Sequence, residues 1–211
     1  MSETRIVRGE IRASMAGKAM RVSGIAARYN SPTVIGRRGQ GQAFKEVLLT
    51  GAFRKAVDAK QDAAFLINHD ANKLLGRVSA GTLRLRDSAE GLCFECDFPD
   101  TEEARNAYTS IQRGDMHSCS FGFGTDKGDD EWTTETDERG KIAVRKIRNV
   151  SQLLDVSAMT FPAYDGTHVA ARMENLSSVQ LPEEFETVEA PETDSTESIV
   201  RRRQLLNISL L

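Results

Sequence analysis

Four consecutive side chains near the middle of the chain, His117, Ser118, Cys119 and Ser120, each carry a group able to do chemistry; the surrounding stretch reads DMHSCSFGF (115–123). Three chemistries are open to them. The first is metal binding, since Cys93 and Cys96, taken with His117 and Cys119, imitate the four-ligand spacing of a zinc site. The second is thiol attack by Cys119. The third is hydroxyl attack by Ser118 or Ser120, which needs a base within hydrogen-bond reach and a third group to orient that base. The chain has three histidines, His69, His117 and His168, so the choice of base is narrow.

The elements that must position these groups weigh against the first two. GLCFECDF (91–98) alternates like a strand, and strand residues three apart face opposite sides. Cys93 and Cys96 then read as small buried hydrophobes rather than ligands, and no metal is called for. The same alternation separates Cys119 from His117 and Ser118, so adjacency alone makes no dyad. His69 is placed differently. AAFLIN (63–68) is a compact apolar run, read as a buried strand, and it ends at Asn68-His69-Asp70. A rigid scaffold would hold an imidazole there at the rim of a core, although a histidine at a strand end more often serves packing. Ser120 is followed by Phe121-Gly122-Phe123, and a glycine two residues after a nucleophile lets substrate or neighbouring backbone come close.

The rest of residues 5–170 reads mostly as short strands. AMRVSGIAARYN (19–30) is a strand with a glycine that bends it, followed by a loop with two arginines and three glycines (31–42). GAFRKAVDAK (51–60) forms a short amphipathic helix, and LLGRVSAGTLRLRD and GLCFECDFPD form two strands joined near Asp87–Gly91. A helix is expected over 101–113, capped by Asp100 with Glu103 as reciprocal partner and stopped by Gly114; Ala104, Ala107, Tyr108 and Ile111 make its apolar face. A hairpin turning at Glu138-Arg139-Gly140 and a strand within 151–164, stopped by Pro162, complete the body.

Composition bounds the partners. The chain has 211 residues, enough for one domain with appendages. Residues 174–200 hold eight acidic side chains and no Lys or Arg, and Arg201, Arg202 and Arg203 follow. Without these the chain carries 25 basic against 23 acidic residues, a nearly neutral body with no electrostatic case for nucleic acid. No apolar run approaches the ~20 residues of a membrane span, and the N-terminus lacks a signal-peptide core. Three cysteines, an odd number, fit a reducing compartment without a disulfide framework. The expected organisation is an N-terminal extension or first strand (1–18), a main domain (19–172) and an acidic tail (173–211). The tail is too poor in large apolar residues to offset its ordering entropy, so disorder is expected there.

In order and spacing, three segments of this sequence resemble the prohead (capsid maturation) serine proteases of tailed bacteriophages, and more distantly the herpesvirus assemblin proteases. They are Asn68-His69-Asp70 followed by Leu75-Gly76-Arg77; Ser120-Phe121-Gly122-Phe123; and Leu153-Leu154-Asp155-Val156-Ser157 followed by Pro162-Ala163. The likeness covers about residues 20–172. It implies Ser120 as nucleophile, His69 as general base and Asp155 as the third member, where the phage family commonly has Glu. An Asp arm is one methylene shorter, which calls for a water bridge or a backbone shift; His168 competes, since herpesvirus relatives use a second histidine. The resemblance also implies a mainly β fold with flanking helices, a compact β-barrel of the herpesvirus-protease type. It implies no cofactor. The substrates implied are the major capsid protein with its scaffolding segment and the protease itself, with self-association as a homodimer. Its place would be the host cytoplasm inside assembling proheads, with neither nucleic acid nor membrane as partner. The alternative is a catalytically inactive capsid-assembly or scaffold factor of the same fold.

Overall fold

A computed structural model describes residues 2–161 except 8, 9, 17, 18, 37–42 and 139, with 2–7, 15, 16 and 19 described as backbone only. Pro162, His168 and the acidic tail lie outside the described residues. In chain order the elements are β1 (Ser2–Val7), β2 (Glu10–Ala16), β3 (Ala19–Arg28), β4 (Thr33–Ile35), β5 (Phe44–Leu48) and the one-turn helix α1 (Arg54–Asp58). Next come β6 (Ala64–Ile67), β7 (Asp70–Arg77), β8 (Leu83–Asp87), β9 (Gly91–Phe98) and α2 (Glu102–Arg113). The last four are β10 (Ser118–Gly124), β11 (Asp130–Asp137), β12 (Gly140–Ile147) and β13 (Gln152–Met159).

These strands pair into three sheets: β1-β10-β13-β6-β7, β11-β12-β5-β4 and β2-β3-β9-β8. The mainly β class with flanking helices is what the alternation predicts. The closed barrel is not: among the described residues no pairing joins the sheets into one ring. Alternation says which face of a strand is buried, but not which edge meets which. Here the five-stranded sheet interleaves strands from four separated parts of the chain, with β13 running parallel to β6 and antiparallel to β10.

Local chemistry accounts for the remaining differences. The helix 101–113 forms as α2, and Gly114 ends it at φ 83°, a left-handed conformation glycine adopts without a Cβ penalty. Its N-cap is Thr101, not Asp100: the Thr101 side chain accepts from the Ala104 amide, while Asp100 turns outward to Arg105. LLGRVSAGTLRLRD is two strands rather than one. β7 breaks at a turn over 78–82, and Gly76 sits so close to β9 that a Cβ there would lie 2.3 Å from Cys96 Sγ. The hairpin of β11 and β12 closes with Asp137 opposite Gly140, as the sequence suggests.

The core lies between the first and third sheets. Phe65 packs on Phe94 and Phe98 with ring centroids 5.3 and 5.5 Å apart, and Phe53 meets Phe121 edge-on at 5.4 Å. Phe53, Phe65, Phe121 and Phe123 are all fully buried. Each such side chain contributes about 1.5–3 kcal/mol of transfer free energy. The apolar face of α2 (Ala104, Ala107, Tyr108, Ile111) is buried and lies against β2 and β3. This packing anchors β10 and β6, the two strands that present Ser120 and His69.

Candidate active site

β10 is buried along its whole length. Its alternation sends Cys119, Phe121 and Phe123 to one side and Ser118, Ser120 and Gly122 to the other. The first set joins the aromatic core. In the second set, Ser120 stands directly opposite Ser157 of β13, and Gly122 opposite Asp155. Two short polar side chains and one bare glycine therefore line a small patch across adjacent strands.

His69 reaches that patch because the chain reverses abruptly after β6. Asn68 and His69 both adopt left-handed backbone, at φ 52° and 58°, a conformation that Asn and His enter more readily than most residues. The reversal is held to the end of β13. Asn68 N–H donates to the Ala158 carbonyl at 2.9 Å, and the Asn68 side chain exchanges two 2.9 Å hydrogen bonds with Thr160. The His69 imidazole is thereby turned back across β13. Its Nδ1 lies 2.7 Å from Asp155 Oδ1 and its Nε2 lies 2.6 Å from Ser120 Oγ.

The partners dictate the tautomer. An ionised carboxylate only accepts, so Nδ1 carries the proton and donates to Asp155. Nε2 then presents its lone pair to Ser120, whose hydroxyl donates to it. Serine, imidazole and carboxylate are thus joined in one hydrogen-bonded line. The line runs from a fully buried Ser120 to a rim where the His69 and Asp155 side chains keep 18% and 13% exposure. The short Asp arm needs neither a water bridge nor a backbone shift. Gly122 makes the room: a Cβ at that position would sit 2.3 Å from Asp155 Oδ2, so the carboxylate occupies the space a side chain would fill.

The other sequence candidates fall elsewhere. Ser118 shares the face of Ser120, but the imidazole reaches Ser120. His117 lies in the exposed loop before β10, with Nδ1 3.2 Å from the Gly114 carbonyl. Cys119 is buried on the far face, where burial pushes its thiol well above the ordinary range, unsuited to a thiolate nucleophile. Cys96 is likewise pushed up, to about 12, chiefly by burial. Cys93 lies half-buried on β9, and the described residues hold no group of three or more His, Cys, Asp or Glu arranged around a common metal position. His168 lies outside the described residues.

Ser157 also belongs to the group around His69, although its residue type alone does not mark it in the sequence. Its hydroxyl donates to Asp155 Oδ1 at 2.7 Å and lies 3.3 Å from His69 Nδ1. The signal that could have found it is its place two residues after Asp155, on the same face of one strand.

The caudovirus prohead serine protease family matches residues 8–182, most of the chain. The chain belongs to that family. It is therefore a serine peptidase, a hydrolase of tailed-phage capsid maturation. No curated protein and no solved structure matches the chain. Membership in a prohead protease family implies capsid protein or scaffold as substrate, and among the described residues no helix is long and apolar enough to cross a membrane.

Proposed function

We propose that this chain is the prohead maturation endopeptidase that cleaves the scaffolding part of the major capsid protein, and also itself, inside assembling proheads in the host cytoplasm. Ser120 is the nucleophile, His69 the general base and Asp155 the orienting acid. One observation carries these roles: the unbroken line Ser120 Oγ, His69 Nε2, His69 Nδ1, Asp155 Oδ1, with contacts of 2.6 and 2.7 Å.

In this reading Ser120 Oγ attacks the scissile carbonyl while His69 Nε2 takes its proton, then delivers that proton to the departing amine. Asp155 holds the imidazole by Nδ1–H and stabilises the imidazolium between the two transfers. A water enters after the amine leaves. His69 removes its proton, the water oxygen attacks the acyl-serine, and the proton returns to Ser120 as the new carboxyl product departs. A second copy of the chain, as a homodimer partner or as a substrate for self-cleavage, belongs to the same proposal.

The herpesvirus likeness rests on motif order, and the division into a body (19–172) and an acidic tail (173–211) on composition. The tail, by this account, takes the protease into the prohead. Deleting 174–211 is expected to lower the protease content of purified proheads, and unchanged packaging would remove that role.

The test of the chemistry is labelling of the full chain with a fluorophosphonate, followed by peptide mapping. Modification at Ser120, absent from Ser120→Ala and His69→Ala, together with their failure to process capsid precursor, is the expected result. Processing of precursor by Ser120→Ala would refute the assignment. An inactive assembly factor of the same fold predicts no labelling at all.

A further inference from the structure

We infer that Ser157 is a positioning residue of this peptidase, a fourth member of the line that holds both Asp155 and the base in place; the inference rests on the roles proposed above for Ser120, His69 and Asp155. Ser157 has no exposed surface and sits on β13 directly opposite Ser120. Its hydroxyl has one hydrogen and two lone pairs. The hydrogen goes to Asp155 Oδ1 at 2.7 Å. The oxygen then faces His69, accepting from the backbone N–H at 3.2 Å and lying 3.3 Å from Nδ1.

Each contact solves a problem that the turn creates. Ile67 pairs with Ala158 and the Asn68 amide takes the Ala158 carbonyl, so the parallel ladder of β6 and β13 ends there. The next amide, that of His69, is left without a ladder partner, and a backbone donor leaving a sheet must find another acceptor. Ser157 Oγ is that acceptor, and it ties the base to β13 at the residue whose φ is 58°.

The contact to Asp155 fixes the carboxylate in the gap above Gly122, with Oδ1 toward the imidazole. Both groups near Nδ1, the carboxylate and the serine oxygen, accept. An unprotonated Nδ1 would place a lone pair against two others, so the pair enforces the tautomer that leaves Nε2 free to take the Ser120 proton. Here all three contacts go to the base and its carboxylate.

The test is the kinetics of fluorophosphonate labelling of the full chain. Ser157→Ala is expected to lower the maximal labelling rate about 10- to 100-fold, the scale of a small misplacement of a reacting group, with the half-saturating probe concentration unchanged. Ser157→Thr keeps the hydroxyl and is expected to recover the rate to within about threefold of the unsubstituted chain. If alanine does not fold, Ser157→Cys replaces it, and its weaker S–H donor is expected to give an intermediate rate. A full labelling rate in Ser157→Ala, a rate loss matched by an equal rise in half-saturating concentration, or a threonine variant as slow as alanine would each overturn the positioning role alone. An unsubstituted chain that does not label at Ser120 would overturn this inference together with the proposed function.

Discussion

Two buried polar clusters in this molecule look alike in composition and differ in what they leave uncommitted. In the sheet of β5, β11 and β12, Arg145 is 3% exposed. Its guanidinium donates to Asp130 at 2.6 Å, to Glu46 at 3.1 Å and to Thr125 at 2.9 Å, with the Trp132 ring 5.9 Å away. Arginine holds its protons at every relevant pH, so this cluster fixes geometry and moves nothing. At the corner of β6, β10 and β13 the central cation-former is an imidazole, joined on one side to a carboxylate and on the other to a hydroxyl. There the hydrogen bond to Ser120 is also a route for a proton. What separates the two clusters is the identity of the group in the middle and, in the second, its reach to the hydroxyl of a fully buried serine.

Substitutions can break that contrast in order of severity. Ser120→Ala and His69→Ala are expected to abolish peptidase activity, by about 10⁶-fold on the scale of triad knockouts, with an unchanged melting temperature. Activity on capsid precursor and a thermal melt check both halves. Asp155→Asn should cost about 10²- to 10⁴-fold without abolishing turnover, because the amide no longer enforces the Nδ1–H tautomer. Gly122→Ala should fall in the same range, since its Cβ would evict the Asp155 carboxylate; turnover like that of the unsubstituted chain would show that the carboxylate is not needed at that point.

The arginine cluster should respond in the opposite sense. Arg145→Met removes the buried guanidinium that bonds Asp130, Glu46 and Thr125 and is expected to destabilise the fold by about 3–5 kcal/mol, while activity per folded molecule stays the same. Urea unfolding beside active-site titration separates the two quantities. The smallest effect concerns Tyr29, whose hydroxyl is pushed above its ordinary range by burial and then by its hydrogen bond to Asp87. The folded chain keeps this proton longer than the unfolded chain does. Stability is therefore fully present below the unfolded value of about 10 and declines as pH rises above it, and Tyr29→Phe should flatten that alkaline decline in melting temperature.

The sequence was readable where chemistry is local. His69 at the end of an apolar run, Ser120 in Ser-x-Gly and Asp155 in its strand could all be named, because each motif is contiguous and the three occur in a characteristic order. The capping of α2 was nearly readable, one residue out, since Asp100 and Thr101 are both competent caps and only the turn geometry chooses between them. The partition into three sheets was not, because edge pairing depends on contacts between distant segments. The same gap hid how the shorter Asp reaches His69. That Gly122 faces Asp155, and Ser120 faces Ser157, is a fact of cross-strand register which no single strand states.

β13 is the middle strand of its sheet and also the last described strand in chain order. During synthesis, His69 and Ser120 therefore leave the ribosome before the template that brings them together, and a nascent chain arrested short of residue 152 holds both groups without any means of joining them. By the roles proposed above, translation itself delays proteolysis, and products that end before β13 are expected to be inert.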